Sequence, residues 1–161
     1  MKDALQMQSS TGHDTIFDGM TCVRAKMAVY GSLLLLALMA SPALAVCGDD
    51  PGPSVDWSEC QKAKLMFGSA DLSNGDFVQT TFTATDLSGA NLSGADMSLA
   101  ELSNASLAGA HLTGAMLQKA VATRADFSGA DLSGANLSGA EFSRTNFQKA
   151  TLVGADFTNS E

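Results

Sequence analysis

Residues 85–99 read Thr85-Asp-Leu-Ser-Gly, Ala90-Asn-Leu-Ser-Gly, Ala95-Asp-Met-Ser-Leu, three units of five residues in one register. Carried in both directions, that register runs without insertion from Ala70 to Asn159. The third place of each unit is large and apolar in seventeen of eighteen units, from Leu72 to Phe157; Ala122 is the exception. The first place is Ala, Gly or Thr throughout. A period of two would mark a half-buried strand and one of 3.6 a helix; five marks neither. It suits a chain that extends briefly, bends, and sends one large and one small side chain inward each time. Four such sides close a coil of about twenty residues, which stacks on its neighbours as parallel strands about 4.8 Å apart.

Copies such as Ala90-Asn91-Leu92-Ser93-Gly94 and Ala135-Asn136-Leu137-Ser138-Gly139 follow the pattern A-(D/N)-L-x-x. The chain from Ala70, and from Trp57 at the earliest, resembles the pentapeptide-repeat family. The resemblance implies an all-β fold, a right-handed quadrilateral β-helix (a solenoid). It implies little about function, because the family spans many roles.

Stacking residues twenty apart predicts the core as four rows. Leu72, Leu92, Leu112, Leu132 and Leu152 form a leucine row; Phe77, Met97, Leu117, Leu137 and Phe157 form the next. Phe82, Leu102, Ala122 and Phe142 make a third, and Leu87, Leu107, Phe127 and Phe147 the fourth. Aromatic residues gather near both ends. At Ala122 the expectation is a packing accommodation, with Phe142 leaning over to fill the space, rather than a local distortion serving a binding role.

The N-terminus reads as targeting. Arg24 and Lys26 precede an uncharged run, Met27 to Val46, with a dense apolar core from Gly31 to Ala40 and a small-x-small Ala43-Leu44-Ala45. That order predicts a signal peptide helix cut after Ala45, which places the protein in the periplasm or outside the cell. Retention of the segment as an inner-membrane anchor is the alternative, and membrane contact is expected only then. Residues 1–23 read as an unstructured or mis-started extension, 24–45 as the signal peptide, 46–56 as loop and cap, and 57–161 as the repeat domain. Lys62 falls on an inward place that does not suit it, so the first turn is expected to be irregular. Cys47 and Cys60 form an even pair in an exported chain, and a disulfide between them is expected; the alternative is two free thiols.

Only 16% of residues are charged and the net charge is -8. No basic patch offers a nucleic-acid backbone its counter-charges, so no direct nucleic-acid binding is expected. The second-place carboxylates, among them Asp71, Asp86, Asp96, Asp126 and Asp156, read as turn formers that take backbone N–H groups. No residue set pairs an acid with a base, no elbow serine or phosphate loop appears, and no cluster carries metal-ligand spacing. No enzyme and no cofactor are expected. Arg124 and Arg144, twenty apart and near Glu101 and Glu141, are the candidate interaction patch. The last coil, with Phe147, Leu152 and Phe157, is expected to support a homodimer.

The sequence therefore points to a non-catalytic exported repeat protein, a structural or protein-interaction module with an unknown protein partner. One alternative, implied by the resemblance, is a DNA-mimicking protein that binds the topoisomerase gyrase. Another is a membrane-anchored periplasmic scaffold.

Overall fold

Each five-residue unit contributes one bridging residue and one turn. The structure, a computed structural model, describes residues 47–161; the expected extension at 1–23 and signal segment at 24–45 lie outside them. The second-place residue bridges its counterpart twenty residues on in parallel orientation, seventeen times from Asp56↔Asp76 to Asn136↔Asp156. The fourth and fifth places form the turn.

The backbone amides of a unit can all be accounted for, as burial demands. Leu92 N donates to His111 O at 2.7 Å, and Gly94 N donates to Thr113 O at 3.0 Å, both in the next coil. Asp96 N donates back to Gly75 O at 2.9 Å in the previous coil, and Ala95 N closes its own turn on Leu92 O at 3.1 Å. Only the fourth-place amide lacks a backbone acceptor. Where the second place is Asp or Asn its side chain supplies one: Ser93 N donates to Asn91 Oδ1 at 3.2 Å, Ser98 N to Asp96 Oδ1 at 2.9 Å and Ser128 N to Asp126 Oδ1 at 2.9 Å. This is the physical reason for Asp or Asn at that place.

The expected all-β class, a quadrilateral β-helix or solenoid of parallel strands, is corrected. Among the described residues there are isolated one-residue bridges and turns, with no strand, sheet or helix. A turn recurs after every bridging residue, so no two consecutive residues bridge and no strand can propagate. The described residues form a stack of turn-dominated coils of four units each, joined by single bridges.

The inward places behave as two sets. Leu72, Leu92, Leu112 and Leu132 are fully buried, as are Phe82, Leu102, Leu107 and Leu117, with first-place Ala90 to Ala140 beside them. Burying each Leu is worth about 1.5–3 kcal/mol. Leu152, the last of its row, is 39% exposed. Where Thr replaces Ala at the first place, its hydroxyl is satisfied by a carbonyl one coil earlier: Thr80 Oγ1 donates to Trp57 O and Thr85 Oγ1 to Lys62 O. Thr145 Oγ1 does the same to Ala122 O at 2.6 Å.

At Ala122 the coil is undistorted: Ala122 N donates to Glu141 O at 2.8 Å and Arg124 N to Ser143 O at 2.9 Å. Phe142 packs with its neighbours toward the C-terminus, 5.2 Å from Phe147 and 5.8 Å from Phe157 between ring centroids. The expected irregular start is also corrected. Bridges Asp56↔Asp76, Gln61↔Thr81 and Met66↔Asp86 hold the register from the first coil, and Lys62 occupies its inward place at 4% exposure.

Candidate functional site

The densest chemistry lies at the N-terminal end of the stack. Cys47 and Cys60 are joined by a disulfide, with Cα atoms 5.5 Å apart. Cys60 sits at a first place, where most other units put Ala, and is buried. Lys62, at the next third place, turns inward; its Nζ donates to Cys47 O at 2.7 Å and lies 3.7 Å from the centroid of the Trp57 ring. Burial pulls the Lys62 ammonium below the usual lysine range, opposed by the charge of Asp49. Trp57 is fully buried against Phe67 and Phe77, with centroids 4.9 Å and 5.7 Å away. Its Nε1 has no acceptor among the described residues. Sequence reading singled out the cysteines and treated Lys62 as a misfit; the ring and carbonyl that accommodate it become neighbours only once the chain is coiled.

The candidate patch is brought together as two rows on one side of the stack. Arg124 N donates to Ser143 O, which sets Arg124 and Arg144 in the fifth places of successive coils. Glu101 bridges Val121 and Val121 bridges Glu141, so an apolar residue separates the acids. Glu101 is engaged in its own turn, its Oε1 accepting Ser103 N at 3.0 Å.

A feature missed in the sequence unites the cations. The fifth place has positive φ in every unit from Ser54 (57°) to Asn159 (58°). Lys64, Lys119, Arg124, Arg144 and Lys149 all occupy it, at φ between 56° and 61°. The frequent Gly and Asn at that place were the available signal, since both tolerate the left-handed region.

The bridging rows set the electrostatics. Asp56, Asp76 and Asp96 bridge in succession, placing three carboxylates one above another at about 4.8 Å intervals. Asp71, Asp86 and Asp131 are held below the usual carboxylate range by the hydroxyl and then the amide of Ser73, Ser88 and Ser133, and Asp156 by those of Thr158. Their oxygens are thus engaged by their own turns. Among the described residues no group of three or more His, Cys, Asp or Glu could hold a metal ion, and no helix is long and apolar enough to cross a membrane.

Coils of twenty residues with one bridge per five-residue unit define a repeat protein of pentapeptide type. Pentapeptide repeats are matched in eight copies over residues 67–98, 95–134 and 123–160, and the chain belongs to the pentapeptide-repeat family. It is similar to the pentapeptide repeat protein Rfr23 from the cyanobacterium Cyanothece 51142, at 25% identity and TM-score 0.64, over 65% of this chain and 86% of that one. It is also similar to alr5209, a pentapeptide repeat protein from Nostoc PCC 7120, at 31% identity and TM-score 0.51, over 63% of this chain and 84% of that one. QnrB1, a plasmid-mediated fluoroquinolone resistance protein, aligns at 18% identity and TM-score 0.33 over 66% of this chain and 67% of that one, too distant to carry an argument. No curated protein sequence matches the chain.

Proposed function

We propose that this protein is an exported, non-catalytic module that acts by presenting the ordered rows of its outer surface to a protein partner. Pentapeptide-repeat proteins in general act as protein-interaction modules. One observation carries the reading: beyond Lys62 the inward places are filled by apolar side chains and hydrogen-bonded threonines, and the second-place aspartates of many units accept hydrogen bonds from their own turns. Recognition then falls to the exposed rows: in the candidate patch Arg124, Arg144 and Glu141 are exposed, and Glu101, held by its own turn, is half-buried beside them. The last coil, in which Phe142, Phe147 and Phe157 are only partly buried, is the candidate surface for a second copy.

Cell fractionation with mass determination of the N-terminus tests the export reading. A mature chain beginning at Val46 outside the cytoplasm supports it, and a membrane-bound chain that keeps the segment 24–45 supports the anchored scaffold. An uncleaved chain in the cytoplasm sinks both. Light scattering across a concentration series tests the second copy; a monomeric mass throughout rules it out.

The second reading, a DNA-mimicking gyrase-binding protein, is favoured by the stacked carboxylates Asp56, Asp76 and Asp96. It predicts inhibition of gyrase supercoiling by the purified protein, weakened when the three are changed to Asn. Absence of inhibition removes it.

A further inference from the structure

At the N-terminal end of the stack, Cys47 is tied to the first coil by a disulfide to Cys60 and by the Lys62 ammonium on its carbonyl. The first stacked turn is made by residues 50–54, where Ser54 N donates to Ser73 O at 2.7 Å. Cys60 opens the unit two further along, on the opposite side of a coil of four units. The chain from Cys47 therefore crosses the end of the first coil to reach it. The oxygen that receives the Lys62 ammonium belongs to Cys47, the residue that the disulfide holds.

The two contacts are thereby coupled. A buried ammonium without a partner is strongly unfavourable. Once Cys47 is free to leave, its carbonyl leaves with it, and Lys62 keeps only the face of Trp57. Its four-carbon stem is long enough to carry the charge back to water. The unpartnered Trp57 Nε1 adds a second group that the closed arrangement leaves without a hydrogen bond.

We propose that the Cys47–Cys60 disulfide is a redox-operated clasp: reduction by a dithiol releases residues 47–51, turns Lys62 outward and uncovers the aromatic end formed by Trp57 and Phe67. The dithiol's thiolate attacks Sγ of Cys47, the half-buried member of the pair, since Cys60 is 1% exposed. The Sγ–Sγ bond breaks and the Cys60 thiolate leaves and takes a proton. The reductant's second thiol then displaces Cys47 by forming the reductant's own disulfide. Two electrons and two protons pass to the protein.

The test uses the full chain, purified oxidised, with dithiothreitol as the dithiol. Lysine acylation read by mass spectrometry reports Lys62, with exposed Lys64 as internal reference, and emission of the chain's single tryptophan reports Trp57. The expected result is two additional thiols, loss of Lys62 protection to the level of Lys64, and a red shift of Trp57 emission. Amide exchange across residues 92–137 stays unchanged. The Cys47→Ser, Cys60→Ser double variant should match the reduced protein without reductant. Two outcomes overturn the proposal. One is Lys62 still protected after both thiols appear. The other is exchange protection lost throughout 92–137, which makes the bond a staple for the whole stack.

Discussion

The ammonium of Lys62 lies 3.7 Å from the centroid of the Trp57 ring, inside a row otherwise built from Phe82, Leu102, Ala122 and Phe142. A charge is thus held where every later coil places an apolar group, and it is compensated by one carbonyl and one ring face. Replacing a buried, paired charge by an apolar group of similar size is often neutral or stabilising. Lys62→Leu is expected to leave the urea midpoint unchanged or raise it. Lys62→Ala, which empties the site, should lower stability by about 2 kcal/mol or more. A Leu variant less stable than the Ala variant would contradict this account of the cap.

The leucine row gives a graded comparison within one chemistry. Leu112 is fully buried between Leu92 and Leu132, whereas Leu152 is 39% exposed. Leu112→Ala should cost about 2–5 kcal/mol in equilibrium denaturation. Leu152→Ala should cost less than about 1.5 kcal/mol, because little apolar area is lost from it. Equal losses at the two positions would mean that the last coil is covered in solution.

The fifth place isolates backbone conformation from packing. Gly114 has φ of 66°, and a Cβ built there meets nothing within 4 Å. Gly114→Ala should therefore destabilise through the left-handed backbone alone, by about 1–2 kcal/mol. In the reverse direction, Leu99→Gly, at φ of 61° and 48% exposed, should raise the midpoint. A neutral Gly114→Ala would show that the turn tolerates another conformation.

Acid should loosen the stack in a defined window. Asp71, Asp86, Asp131 and Asp156 are held below their ordinary value of 3.8 by hydrogen bonds that need the charged form. Their contribution is fully present above that value and is lost as pH falls through the lowered folded values. Melting temperature should be flat from about pH 8 to pH 5 and fall below about pH 4, modestly per group because all four are solvent-screened. Changing Asp71, Asp86, Asp131 and Asp156 together to Asn, which keeps the acceptor oxygen, should flatten the acid limb. An unaltered limb would place the acid sensitivity elsewhere.

Much of the interior was legible in the linear chain, because the third-place side chains at 72, 92, 112 and 132 are apolar for one reason, burial. The coil length followed from the same rule. The strand class did not follow, because hydropathy reports which side chain points inward and not how many consecutive residues bridge. At Asp96 the bridge is one residue long, and Ser98 and Leu99 already turn. The cap was half legible: two cysteines in a chain expected to be exported suggest a bond, but the acceptor and ring that make Lys62 tolerable are fifteen residues and five residues away in sequence. The positive φ at Arg124 and Arg144 was hidden because long cations there mask a place that Gly and Asn mark in other units.

The twenty-residue register is the claim on which core, cap and patch all depend. Through-hydrogen-bond couplings measured by NMR on the isotope-labelled protein test it bond by bond. The structure requires the nitrogen of Leu92 to couple to the carbonyl carbon of His111, and that of Leu112 to Asp131, each nineteen residues on. Couplings that instead joined residues four apart, or that shifted the partner by one unit of five, would contradict the fold described here.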